Sequence, residues 1–227
     1  MASYLSDAQA KAMIVELGKR MYAKGYVSGS DGNITIKVGE NVVWATPTGV
    51  CKGYMAENML VKMDLDGNII EKGEYNSTSE IKMHLRVYKE NSDVQAVVHA
   101  HPPVGTAFAV AGMEIDEPMM AENVVFLGAI PCAKYAKPGS QEVPDSVAPF
   151  CKEYNGCFLA NHGTLTWGDN PLEAYYRLES LENCCNIQLL LKNQLGHANL
   201  LTKEQVEELY KLRAASGIKR GGKMRVE

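Results

Sequence analysis

No segment of this sequence is apolar for long enough to cross a bilayer, and the N-terminal MASYLSDAQAKAM has neither the charged start nor the apolar centre of a secretory signal. Basic excess is missing too. The formal net charge of −4 argues against a general nucleic-acid binder and leaves a small molecule as the expected partner. There is no CxxC spacing: Cys51, Cys132, Cys151, Cys157, Cys184 and Cys185 form no regular framework, so they read as free thiols in a reducing compartment, and a cytoplasmic protein is expected. GxGxxG, internal repeats, low-complexity tracts and linkers are also absent. What remains is 227 residues, 46% apolar and 22% charged, enough to bury a core without disulfides and expected to form a single domain over residues 1–227.

Periodicity supplies the elements. Residues 6–24 carry Ala12, Ile14, Val15, Leu17, Gly18 and Met21 near one face behind Ser6, which predicts an N-capped helix ended by Gly25. NITIKV (33–38) and VVWAT (42–46) read as strands joined through Gly39-Glu40-Asn41, and VKMDLDGNIIEKG (61–73) as a hairpin turning at Asp66-Gly67. The pattern further predicts a helix over 79–90, a strand over 94–100, a short helix after Pro102 and Pro103, helical structure over 141–153, a strand over 156–160, and helices over 171–193 and 203–213. VVFLG and IPCA read as short buried segments. Early hairpins mixed with later helices predict an α/β fold, a three-layer αβα sandwich around a mostly antiparallel or mixed central sheet.

The chemistry concentrates where the strand QAVVHAHPP ends. Alternation puts His99 and His101 on one side of it, and His162, at the end of the strand GCFLA, can reach the same rim. Three imidazoles suit a zinc site that keeps one position open. Spacing alone leaves the plainer alternative standing, that these are ordinary polar residues at strand ends. His84 and His197 read as packing or surface residues, although His84 follows Glu80 by four positions and shares its helix face.

Three segments are rich in hydroxyls, amides and glycines: SGSDGN (28–33), TPTG (46–49) and NSTSE (76–80). The last precedes a helix, where Thr78 or Ser79 can cap and free N–H groups can face an anion. Plain turns use the same residues. Glu80 then falls in the first turn, where it either complements the dipole or serves as a base beside a metal. Lys52 follows the TPTG turn closely, but no lysine stands out as the buried amine of a Schiff-base aldolase.

Taken in order, GSDGN, TPTG, STSE, HAH and NHG resemble the class II aldolase and adducin-head family, over most of the chain and nearest to its fuculose-phosphate aldolase branch. The resemblance implies that His99, His101 and His162 hold zinc or another divalent cation and that Glu80 is the catalytic acid/base. It implies a phosphate pocket of Gly32, Asn33, Thr48, Gly49, Thr78 and Ser79, with Gly32 allowing close backbone approach. The implied reaction is reversible cleavage of a ketose 1-phosphate to dihydroxyacetone phosphate and a short aldehyde such as lactaldehyde, in a cyclic homotetramer with active sites between neighbours. A sugar-phosphate 4-epimerase, a methylthioribulose-1-phosphate dehydratase and a non-catalytic adducin-head scaffold are the alternatives within the same family.

Two departures stand out. A tyrosine that the aldolases contribute from a neighbouring subunit falls near Met120 in MMAENVV, close to Glu122 and Asn123, and of the C-terminal aromatics only Tyr210 is available as a catalytic candidate. The basic tail IKRGGKMRVE reads as a flexible, solvated end.

Overall fold

Ser6 opens the first helix with a closed capping box, its hydroxyl accepting the Gln9 N–H at 3.3 Å and its own N–H donating to the Gln9 side chain at 3.0 Å. In the computed structural model, which describes residues 3–226, this helix is α1 (Asp7–Ala23). It buries Ala10, Ile14, Leu17, Gly18 and Met21. Ala12 faces solvent, so Ala10 takes the place expected for it in the apolar stripe.

The strands are β1 (Asn33–Gly39), β2 (Val42–Ala45), β3 (Val61–Asp64), β4 (Ile69–Glu71), β5 (Ala96–Ala100), β6 (Cys132–Ala133), β7 (Gly156–Leu159) and β8 (Gly163–Gly168). They form one sheet in the order β4-β3-β2-β1-β5-β8-β7-β6, antiparallel throughout except for the β6–β7 pair. The mostly antiparallel sheet inferred from the hairpins is therefore what the chain builds. Helices α2 (Ile81–Glu90) and α4 (Glu142–Val147) cover one face, where Val43, Met63, Val87, Val97 and Trp167 meet. Helices α1 and α5 (Pro171–Leu190) cover the other, over Ile34, Ile36, Trp44 and Val98, with α3 (Pro103–Ala111) against α5.

One strand escaped the sequence reading. β8 reads GTLTWG, and its threonines suggest a wet loop, yet all six residues are buried beside β5. The hydroxyls are satisfied internally: Thr164 donates to the Ala100 carbonyl at 3.1 Å and Thr166 to the Ala174 carbonyl at 2.8 Å, which removes the cost of burying them. Boundaries shift elsewhere as well. The predicted strand 94–100 begins at Ala96, the helix 141–153 is α4 plus a 3-10 turn at Ala148–Phe150, and VVFLG belongs to a π-turn at Asn123–Leu127. α5 runs on through a π-turn at Leu191–Leu195, and the last helix is α6 (Lys203–Ala215).

The tail overturns its expectation. Arg220 and Met224 are buried, the N–H groups of Gly221 and Gly222 both donate to the Glu153 carbonyl, and Arg220 pairs with Asp169. Composition misled because two glycines at φ +139 and +31 let the backbone turn where other residues are strained, so the arginine finds a carboxylate instead of water. The six cysteines are free, as expected, and burial pushes the thiols of Cys151 and Cys184 up to about 12. No helix among the described residues is long and apolar enough to cross a membrane.

Candidate active site

β5 and β8 pair directly, with Ala100 opposite Thr164, so the end of one strand and the turn before the other share an edge of the sheet. His101 is the residue after β5, its N–H fixed on the Tyr26 carbonyl at 2.9 Å, and Pro102-Pro103 then turn the chain into α3. His162 sits in the tight turn from β7 to β8, beside Asn161 at φ +58. Gly163 lets this turn close. A Cβ there would stand 2.5 Å from His101 Cδ2 and 2.7 Å from the Ala100 carbonyl oxygen. The outcome is a cluster of His99, His101 and His162 with one ligand atom of each within 4.8 Å of the others.

The hydrogen bonds decide which nitrogens face inward. His99 is fully buried and its Nδ1 lies 2.8 Å from the Thr164 carbonyl oxygen, an acceptor, so Nδ1 carries the proton and the Nε2 lone pair points into the cluster. Burial, reinforced by the two neighbouring imidazoles, holds this histidine well below its usual pKa and therefore neutral, as a metal ligand must be. His99 Nε2 and His101 Nε2 are 3.0 Å apart. Two nitrogens bound at ~2.1 Å on a tetrahedral ion stand roughly 3.4 Å apart, so a small shift seats a cation between them. The donor set fits a divalent ion with its remaining position toward the open side.

Glu80 closes that side. Where a helix over 79–90 was predicted, α2 begins at Ile81 and Glu80 is its N-cap, while the Thr78 hydroxyl accepts the Glu80 N–H at 3.2 Å. The carboxylate is thereby freed from its own helix. Its oxygens lie 3.0 Å from His162 Nε2 and 3.3 Å from His99 Nε2, and Oε2 accepts a hydrogen bond from Asn33 Nδ2 at 2.8 Å. Burial acts to raise this carboxyl, but the neighbouring His99 ring, the bond from His162 and the Asn33 amide outweigh it and hold Glu80 well below the usual carboxylate range. It is an anion placed to take a proton beside the cluster.

Behind Glu80 runs a buried polar chain that the sequence did not disclose. Asn33 stands opposite His99 in the β1–β5 register, and because its amide NH2 is turned to Glu80, its Oδ1 must accept from His84 Nε2–H. His84 Nδ1 then accepts from the Thr35 hydroxyl at 3.0 Å, and Thr35 Oγ1 lies 2.8 Å from the Tyr88 hydroxyl. Donors thus point one way from Thr35 toward Glu80, while the Tyr88 hydroxyl donates to the Thr35 carbonyl at 3.0 Å. His84 is pushed down to about 3 by burial, against the opposing charge of Glu80, so it serves as a neutral spacer that fixes the amide's orientation. The four-residue spacing from Glu80 was the one available signal.

A cavity of about 240 Å³ opens beside these groups. Gly32, Asn33, Thr48, Gly49, Thr78 and Ser79, the whole set that the resemblance assigned to phosphate, line it together with Glu80, His101 and His162. The loops are tied to each other, Thr48 N–H donating to the Asn76 carbonyl at 2.9 Å and Thr78 N–H to the Thr46 carbonyl at 3.1 Å. Gly32 and Gly49 both take positive φ, +74 and +70, and a Cβ on Gly32 would stand 2.5 Å from Val27 Cγ1 and 3.0 Å from the His99 carbonyl oxygen. Lys52 also lines the cavity and is fully buried, which corrects the expectation that no lysine stands out as a buried amine.

Other candidates lie elsewhere. Tyr210, on α6, packs with Val124, Ala129, Val206 and Met224, its hydroxyl accepting the Met224 N–H at 2.7 Å, and it is not among the residues lining the cavity. That places it away from the cavity, where it anchors the folded-back tail instead. Asn123 is buried in the π-turn below Met120, while Glu122 borders a separate hollow of about 550 Å³ with Phe126 and Tyr176. His197 is exposed, near the Leu195 carbonyl, as the surface reading held.

Residues 12–189 match the family described as class II aldolase and adducin N-terminal domain. An L-fuculose phosphate aldolase of Methanocaldococcus jannaschii is 32% identical over 194 residues, covering 86% of this chain and 99% of that protein. A 3-oxo-tetronate 4-phosphate decarboxylase of Pectobacterium atrosepticum is 29% identical over 212 residues, 92% of this chain and 95% of that protein. Among solved structures, a putative aldolase/epimerase/decarboxylase from Klebsiella pneumoniae superposes with a TM-score of 0.83 at 28% identity, covering 90% of this chain and 99% of the other.

Proposed function

The chain belongs to the class II aldolase and adducin N-terminal domain family, and from that premise we propose that it is a divalent-metal-dependent lyase that cleaves a ketose 1-phosphate between C3 and C4. The products are dihydroxyacetone phosphate and a short aldehyde such as lactaldehyde. One observation carries this reading: three imidazoles and one carboxylate converge at the mouth of a cavity whose other wall is made of hydroxyl- and amide-bearing loops.

His99, His101 and His162 would hold the ion, and a divalent ion there, zinc in our reading, supplies Lewis-acid stabilisation of the negative charge that develops on substrate oxygens as the carbon–carbon bond breaks. Glu80 moves the proton at the carbon left behind, held in place by the Asn33 amide and the chain of hydrogen bonds behind it. Thr48, Thr78, Ser79 and the backbone at Gly32 and Gly49 fix the phosphate, which keeps the reacting carbons in register with Glu80. The Thr164 carbonyl holds the His99 ring through Nδ1.

Similarity to the decarboxylase supports a second reading. Loss of carbon dioxide from a 3-oxo-tetronate 4-phosphate leaves the same three-carbon phosphate half as the aldol cleavage, so the same pocket, cation site and Glu80 serve both, and only the departing fragment differs. Incubation of the metal-loaded protein with fuculose 1-phosphate, ribulose 5-phosphate and 3-oxo-tetronate 4-phosphate separates the outcomes: aldehyde release supports the lyase, carbon dioxide the decarboxylase, and an isomeric pentose phosphate the 4-epimerase. No product from any of them would leave the methylthioribulose-1-phosphate dehydratase if the purified protein holds metal at unit stoichiometry, and the adducin-like scaffold if it does not. We extend the proposal to a cytoplasmic homotetramer with sites between subunits, for which mass in solution is the test.

A further inference from the structure

Lysine is among the side chains least often buried completely, because taking an ammonium out of water is costly unless a charge or a full set of acceptors replaces the solvent. Lys52 is nonetheless fully buried. Its Nζ donates to the Val50 carbonyl at 2.6 Å and the Ser30 carbonyl at 2.8 Å, which uses two of its three N–H groups. None of the ion pairs among the described residues includes it. Burial lowers its pKa, and Cys51, Asp31 and Glu80 oppose that shift without forming an ion pair with it.

The position is imposed by packing. Lys52 opens a single 3-10 turn (Lys52–Tyr54) pressed against α1 at Gly18, where a Cβ would stand 2.6 Å from the Lys52 carbonyl oxygen and 2.5 Å from Met55 Cε. The two carbonyls that hold Nζ belong to the two loops walling the cavity, one ahead of β1 and one after Thr48-Gly49. Of the residues lining that cavity, Lys52 is the one lysine or arginine, set against the carboxylates of Asp31 and Glu80. A dianionic group entering there meets neutral hydroxyls and amides, two like charges and one buried cation.

We propose that Lys52 is the fixed positive charge of the anion subsite, a positioning residue that clips the two cavity loops together and keeps an uncompensated ammonium beneath the place a phosphoryl group occupies. This rests on the sugar-phosphate reading above. The ammonium offsets part of the repulsion that Asp31 and Glu80 present to an entering phosphoryl group, and the cation discriminates phosphorylated from neutral substrates.

Inorganic phosphate is the probe, titrated calorimetrically into the metal-loaded protein. Lys52→Met is expected to weaken phosphate binding by about 10- to 100-fold, the scale of a lost hydrogen bond to a charged group, with metal stoichiometry unchanged and Lys52→Arg recovering part of the loss. Should Lys52→Met fail to fold, the same titration of wild-type protein carrying ε-13C-labelled lysine, assigned with Lys52→Arg, is expected to shift the Lys52 signal. Phosphate binding by Lys52→Met with wild-type affinity, or a Lys52 signal unmoved while phosphate binds, overturns the role of Lys52 alone. Failure of the wild-type protein to bind phosphate overturns it together with the sugar-phosphate reading.

Discussion

Gly163→Ala tests the proposed metal site without replacing a ligand. The added methyl would lie 2.5 Å from His101 Cδ2, 3.3 Å from His101 Nε2 and 2.7 Å from the Ala100 carbonyl oxygen. Carbon atoms in contact prefer about 3.5–4.0 Å, so the imidazole must retreat by roughly 1 Å or the β5–β8 pairing must open. Either movement exceeds the ~0.2 Å tolerance of a ligand distance and the ~0.5 Å tolerance of a working site. Gly163 does not need a positive φ, so the effect comes from the contact and not from backbone strain. We expect a cost of about 1–3 kcal/mol in stability from overpacking, and a metal affinity lower by at least about 10- to 100-fold, the scale seen when a ligand's support is disturbed. Thermal unfolding of the metal-free protein measures the first, and competition against a chelator the second. Turnover should recover partly at high metal concentration. If the variant binds its ion as tightly as the parent and turns over at the same rate, the convergence of His101 and His162 through this strand contact is not what builds the site.

Further outcomes follow from the same geometry. His101→Ala should lose metal and activity together, checked by elemental analysis and product release. Glu80→Gln should keep metal at unit stoichiometry while losing at least about a hundredfold in rate, the usual scale for removing a general base; full turnover would end its assignment. His84→Phe strands Asn33 Oδ1 in a buried setting, at about 1–3 kcal/mol, while the Thr35 hydroxyl keeps Tyr88, and should lower kcat more than it raises KM, because Asn33 is free to turn its amide away from Glu80. Asp7 accepts hydrogen bonds from Lys62 and Trp44, which hold its carboxyl below the ordinary 3.8. Its contribution to stability is present above that value and fades as the pH falls below it, so Asp7→Asn should flatten the loss of melting temperature in acid.

The sequence itself determined the first helix, with its Ser6 cap, the two hairpins with their Gly-containing turns, and the donor types at the site, because these rest on residues near one another in the chain or on chemistry that no fold can change. HAH before two prolines marked a strand end rich in imidazole donors whatever sheet received it. Tertiary structure decided the rest. β8 was hidden because its threonines are satisfied only by Ala100 and by Ala174, partners that exist once β5 and α5 are in place. The tail looked solvated until Asp169 and Glu153 met it. In a local window His84 shows only its four-residue spacing from Glu80 and Lys52 nothing, since each is defined by what surrounds it: one by an amide 51 residues away, the other by a carbonyl 22 residues away. Composition states which groups can ionise or bind. Only the packing that removes water from around them fixes which of those groups stay neutral, which stay charged and which are left facing a ligand.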